Sequence, residues 1–126
     1  MTEPRPRGAD DLDRSPVDLD ALRFDERGLI PVVAQDAGSG EVLMMAWANR
    51  TALEATLAEG RMVYWSRSRQ ELWRKGDTSG HAQHWQELRV DCDADVIVAR
   101  IHQEGAACHT GEYSCFYREL DQRLGA

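Results

Sequence analysis

Cysteine is scarce in this chain, with three residues in 126. Three thiols cannot build the multi-bridge framework of a small secreted domain. No apolar run approaches the ~20 residues of a membrane span. The N-terminal stretch MTEPRPRGADDLDRSPVD lacks the apolar core of a secretory signal, so no export is expected. The thiols are therefore expected in the reducing cytoplasm, as ligands, catalysts or core filler. Positive charge is also short: 15 Lys and Arg stand against 22 Asp and Glu, a net charge of −7. That balance argues against a general nucleic-acid binder, which needs a broad basic face.

What is present suffices for one core. The chain is 42% hydrophobic with four tryptophans, and a domain of this length buries about two-thirds of its unfolded surface. Residues 1–20 are rich in Pro, Asp and Arg and read as a disordered tail, which leaves 21–126 as the domain. LIPVVAQD and EVLMMAWA read as strands joined by an AGSG turn. In NRTALEATLAEG, Asn49 is placed to cap a helix whose Ala52, Leu53 and Leu57 share a face, and Gly60 to end it. RMVYWSRS reads as a strand and RQELWRKGDTSGHAQ as a polar loop. HWQELRVDCDAD and VIVARIHQEG read as two further strands that meet near the aspartates. The expected fold is a β-rich α+β domain, mostly antiparallel, with one or two short helices. Trp47, Trp85, Phe116 and Tyr117 are expected in the core. His81, His84 and His102 show no ligand spacing and are expected on the surface or on strands.

Three clusters could carry chemistry. The first is Cys92, Cys108 and Cys115, with His109 beside the second. Thiolates suit Zn²⁺, and three protein ligands plus water is the pattern of a catalytic zinc. An adjacent imidazole could move the proton of a zinc-activated water. Any one of these cysteines could equally be a small buried hydrophobe. However, the HTGEYS between Cys108 and Cys115 would make a poor core strand. The C-x-x-C spacing of a redox pair is absent.

The second cluster is Asp91, Asp93 and Asp95. In an extended chain all three point to one side and Cys92 to the other. Carboxylates about 4 Å apart repel by about 4 kcal/mol at an effective dielectric constant of about 20, so the three need solvent, cations or a metal. Hard oxygen donors suit Mg²⁺ or Ca²⁺. An EF-hand is excluded, because Val96 and His102 stand where that loop requires Gly and Glu. A solvated acidic turn is the plain alternative.

The third cluster gathers Arg67, Arg69, Arg74 and Lys75 with hydroxyls and glycines in WSRSRQELWRKGDTSG. Arg forks and exposed N–H groups hold phosphate, although the P-loop glycine spacing is missing. A solvated basic loop is the alternative here.

YWSRSRQELWRKGDTSG, VDCDAD and ACHTGEYSCF, in that order, resemble the phosphoribosyl-AMP cyclohydrolase family of histidine biosynthesis, from about Phe24 to Arg118. The resemblance implies addition of water at C6 of the adenine ring of phosphoribosyl-AMP. The N1–C6 bond would open to give the formimino-aminoimidazole-carboxamide ribotide, the third step of L-histidine biosynthesis. It implies an intertwined homodimer with one Zn²⁺ per subunit on Cys92, Cys108 and Cys115, Cys92 coming from the partner chain. Asp91, Asp93 and Asp95 would hold Mg²⁺, and His109 would transfer the proton. Trp65, Ser66, Arg67, Ser68, Arg69, Arg74, Lys75, Gly76, Thr78, Ser79 and Gly80 would bind the substrate and its two phosphates. Neither a nucleic acid nor a membrane is an expected partner.

One departure is visible: the family usually carries Gly-Pro before Ala-Cys-His, whereas Gly105 is followed by Ala106. That loosens the unfolded chain by about 0.4–1 kcal/mol and removes no ligand. Some relatives carry a fused pyrophosphohydrolase domain, and this chain is expected to be the cyclohydrolase alone. A deaminase is disfavoured because H-x-E…P-C-x-x-C is missing. The rival of another class is a non-catalytic, zinc-stabilised domain binding a phosphorylated ligand, with His109 as a fourth ligand.

Overall fold

The computed structural model describes residues 12–124. The expected tail thus lies partly outside the described residues. Within its remainder, Leu19–Ala21 form a single 3₁₀ turn capped by Asp18, whose Oδ1 accepts from Ala21 N at 3.1 Å.

Six strands and one helix follow: β1 (Ile30–Asp36), β2 (Val42–Ala48), α1 (Arg50–Glu59), β3 (Val63–Ser66), β4 (Glu71–Arg74), β5 (Gln83–Val90) and β6 (Ile97–Gln103). They form one sheet in the order β4-β3-β2-β1-β6-β5, antiparallel throughout except for the β1–β6 pair. The sheet curls on itself. The start of β5 meets the segment before β3, where Met62 N donates to Gln83 O at 2.9 Å and Trp85 N to Gly60 O at 3.3 Å. The β-rich α+β expectation holds. No helix among the described residues is long and apolar enough to cross a membrane.

Period-two burial builds the core. Ile30, Val32 and Ala34 of β1 and Ile97, Ala99 and Ile101 of β6 point inward. Each large one adds about 1.5–3 kcal/mol of apolar burial, and Ile30→Ala should cost about 2–5 kcal/mol. Asn49 and Gly60 end α1 as expected. Asn49 Oδ1 accepts from Ala52 N at 2.8 Å, and Gly60 adopts φ +74°.

Other expectations require correction. The polar loop after β3 contains β4, because Leu72 leans on the core and Trp73 packs against Tyr64 with ring centroids 5.5 Å apart. The buried face of α1 is Ala52, Leu53 and Thr56, and Leu57 is exposed. Thr56 displaces it because its hydroxyl accepts from Val63 N at 3.0 Å, locking that face to β3. Trp85 packs at the core edge, but Phe116 and Tyr117 are 62% and 53% exposed, lying beyond the last strand with no element of the described residues over them. The aspartates do not extend β5. They occupy the tight β5–β6 turn, with Ala94 at φ +63°, so the period-two argument does not apply to them.

Candidate active site

The site begins where β4 ends. Gly76 adopts φ +93°, and a Cβ there would sit 2.4 Å from Ala82 N. Only glycine tolerates both that dihedral and that approach. The chain doubles back there, and Lys75 turns inward. Its Nζ donates to Ala107 O at 2.7 Å and lies 5.1 Å from the centre of the Trp73 ring.

The facing wall is the loop after β6. It closes on itself through Ala107 N to Tyr113 O (3.1 Å), Cys108 N to Glu112 O (3.2 Å) and Gly111 N to Cys108 O (3.1 Å). Cys115 N to Leu43 O (2.7 Å) and Ser114 Oγ to Val42 O (2.8 Å) pin it to β2. This loop brings the thiols of Cys108 and Cys115 near enough that each affects the ionisation of the other. Thr110 Oγ1 donates to Cys108 Sγ at 3.0 Å. The Thr110 hydroxyl and N–H, then the Cys115 thiol and the Lys75 charge, hold the Cys108 thiol below its ordinary value. Partial desolvation first, then the Cys108 thiol, push Cys115 up. Cys108 is the thiol that ionises more readily.

Between these walls lies a half-open cleft of about 410 Å³. Of the expected site residues it is lined by Arg69, Arg74, Lys75, Gly76, Thr78, Ser79, Cys108 and His109. The basic loop and the thiol loop, some thirty residues apart in sequence, thus share one cavity. Trp65, Ser66, Arg67 and Ser68 line a different concavity of about 460 Å³, where Arg67 stacks 5.0 Å above the Trp47 ring. Gly80 closes the 76–80 turn, its N donating to Gly76 O at 2.8 Å.

The cations are not equivalent. Arg74 is committed to Glu59 by a two-pronged ion pair, Nε–Oε1 3.0 Å and Nη2–Oε2 2.9 Å. Lys75 is buried. Arg69 lines the cleft and forms no ion pair among the described residues. Sequence reasoning set His81 aside as a surface or strand residue, yet it lines the cleft, as does Trp73 of the basic cluster. His81 packs so tightly on Gly105 that a Cβ there would lie 2.5 Å from its ring. The only available signal was its place directly after GDTSG. His84 pairs with Glu104 outside the cleft.

The ligand atoms of Asp91, Asp93 and Asp95 lie within 4.8 Å of one another. Asp91 Oδ1 accepts from Asp95 N at 2.9 Å and Val96 N at 3.1 Å. Desolvation pushes Asp91 upward, but these bonds and those from its neighbours outweigh it and leave Asp91 low. Hydrogen bonding to Asp91 and Asp93 pushes Asp95 up to about 6, so the cluster holds a proton below that pH and gives it up above it. Three converging hard oxygens fit a divalent cation such as Mg²⁺. Among the described residues, no other set of three or more Cys, His, Asp or Glu ligand atoms converges this way. Within one chain, Cys92 therefore does not join Cys108 and Cys115. The two convergent thiols fit a soft metal ion and are one ligand short of a three-thiolate site.

A family model described as phosphoribosyl-AMP cyclohydrolase matches residues 44–117. The chain belongs to the phosphoribosyl-AMP cyclohydrolase family. It is 60% identical over 111 residues to the phosphoribosyl-AMP cyclohydrolase of Bordetella parapertussis, covering 87% of this chain and 83% of the relative. With the protein of that name from Rhodospirillum centenum, identity is 61% over 99 residues, 79% of this chain and 74% of the relative. The histidine biosynthesis bifunctional protein HisIE of Thermus thermophilus is 60% identical over 104 residues, which are 82% of this chain and 49% of that protein. The matched span contains both walls of the cleft and the aspartate turn.

Proposed function

We propose that this chain is a hydrolase of cyclic amidines that opens the N1–C6 bond of phosphoribosyl-AMP in histidine biosynthesis, in the cytoplasm. The observation that carries the reading is the shared cleft. A loop bearing Cys108 and His109 and a cationic, hydroxyl-bearing loop face one cavity, an arrangement suited to a reaction on a phosphorylated heterocycle.

In this reading Arg69, Thr78 and Ser79 bind one phosphate, and Ser66, Arg67 and Ser68 bind the other from the adjoining concavity. Trp73 borders both spaces and offers a face for the purine. Holding a substrate by its two phosphates fixes the purine carbon against the thiol loop. His109 takes the proton from the attacking water and returns it to the departing ring nitrogen. Cys108 and Cys115, completed by Cys92 of a second copy, would hold zinc, which supplies the Lewis acidity that makes water nucleophilic at neutral pH. Asp91, Asp93 and Asp95 would hold magnesium. Two features support the dimer: Cys92 stands apart from the other thiols, and Phe116 and Tyr117 are exposed beside the thiol loop.

Purified protein supplied with zinc and magnesium is expected to convert phosphoribosyl-AMP, followed as a change in ultraviolet absorbance when the purine opens. No turnover would sink the proposal. Cys92→Ala should lose zinc, and mixing inactive Cys92→Ala and Cys115→Ala chains should restore part of the activity. Failure to do so after verified subunit exchange rules out the shared site.

A further inference from the structure

Lys75 presents a problem that a phosphate-binding role does not solve. It is only 8% exposed, and a buried ammonium is costly unless it is paired. Among the described residues no carboxylate lies within ion-pair distance of it. Its neighbour Arg74 has Glu59, and Arg61 has Asp77 at 3.0 Å. Lys75 has a carbonyl, Ala107 O at 2.7 Å, and the face of Trp73, and it lines the cleft together with Cys108. Burial pushes its amino group down, and the thiols of Cys115 and Cys108 offset part of that.

The inward course of this side chain is built from both sides. Gly76 makes the turn that no other residue fits. Lys75 N donates to Met62 O at 3.2 Å, and Lys75 O accepts from Arg61 Nη2 at 2.6 Å. The backbone is thereby fixed at both ends of the residue, and the four-carbon stem crosses to the residue that precedes Cys108.

We infer that Lys75 is a positioning residue of the thiol site: it clamps the Cys108–Cys115 loop through Ala107 and brings its amino group into the cleft wall that carries Cys108. The clamp stands on the geometry alone. The charge role rests on the zinc reading proposed above. Three thiolates around a divalent ion would leave one net negative charge, and an ammonium on the wall that carries Cys108 would offset part of it. Outer-shell partners of this kind set metal affinity by about 10–100-fold. Lys75 is accordingly withdrawn from phosphate binding, which falls to Arg69 and the hydroxyls.

The test compares Lys75→Met and Lys75→Gln with the unaltered full chain, using zinc affinity by chelator competition, hydrogen exchange of the metal-free protein, and steady-state kinetics. Lys75→Met should weaken zinc about 10–100-fold. It should speed exchange across residues 107–115 while β1 and β6 stay protected, and lower kcat with KM within about threefold. Lys75→Gln keeps a donor for Ala107 O without charge, so it should retain loop protection and still lose zinc affinity. Unchanged zinc affinity and loop protection with a KM raised about tenfold or more would overturn the inference and return Lys75 to the phosphate. If the unaltered protein binds no zinc, the zinc reading fails, and the exchange measurement still decides the clamp. If Lys75→Met does not fold, Lys75→Gln decides alone: unchanged zinc affinity there overturns the charge role.

Discussion

Tyr113 Oη donates a hydrogen bond to Asp36 Oδ2 across 77 positions of sequence. It joins the tip of the thiol loop to the end of β1. The Tyr113 hydroxyl first, then the N–H groups of Ser39 and Gly38, hold the Asp36 carboxyl below its ordinary value. A depressed carboxyl contributes stability above about pH 4 and loses it as pH falls through the folded value. Tyr113→Phe should therefore cost about 1 kcal/mol at neutral pH, and the difference should shrink in acid. Urea midpoints of both proteins across that range measure it. On the alkaline side, Asp36 pushes the Tyr113 phenol up to about 12. Its contribution is complete below the ordinary value of about 10 and is lost as pH rises toward 12, readable as tyrosinate absorbance.

Gly76→Ala should be among the most damaging small substitutions in the chain. It combines a left-handed dihedral with backbone overlap at Ala82, and each such strain costs about 1–3 kcal/mol. A denaturant midpoint close to that of the parent would show that the turn can relax and that the inward course of Lys75 is not enforced.

Arg69 and Arg74 should separate in kinetics. Arg69→Ala removes an uncommitted guanidinium from the cleft and should raise KM about 10–100-fold, the worth of a charge-assisted bond of about 1.5–3 kcal/mol. Arg74 is held by Glu59, so Arg74→Ala should raise KM far less. Equal effects would mean that Arg74 leaves Glu59 when substrate arrives.

Divalent binding at the aspartate turn should strengthen as pH rises through about 6, where Asp95 gives up the proton that the cluster retains. The sign for the metal-free protein is opposite. The folded state holds more protons than the unfolded chain between about pH 4 and 6, so its stability falls as pH rises through that window. Calorimetric titration of Mg²⁺ on either side of pH 6 checks the first statement. Asp95→Asn should abolish the dependence.

Local chemistry made much of this fold legible. Asn49 and Gly60 bracket α1 because caps are written in single residues, and the alternation in LIPVVAQD and VIVARIHQ carries the two central strands. β4 was hidden because Glu71–Arg74 is short, half charged and recognisable as a strand only from its pairing with Val63–Ser66. The site was legible as residue types and not as geometry. Nothing local says that Gly76 sends Lys75 inward, that Glu59 occupies Arg74, or that Ala94 turns left-handed and gathers three carboxylates into a hairpin bend. Phe116 and Tyr117 look like core by composition and lie exposed beside the thiol loop, because no later element among the described residues covers them. Each of these depends on what another segment of chain does, which a pattern read along one strand does not contain.

The central claim is that this cleft adds water at the ring carbon of phosphoribosyl-AMP. The most direct test is mass spectrometry of the product formed in heavy-oxygen water. The account predicts a ring-opened ribotide, one water heavier than substrate, with the heavy oxygen in its carboxamide group. A ring-opened product with no label there, or an unopened purine after incubation with metal-replete protein, would contradict it.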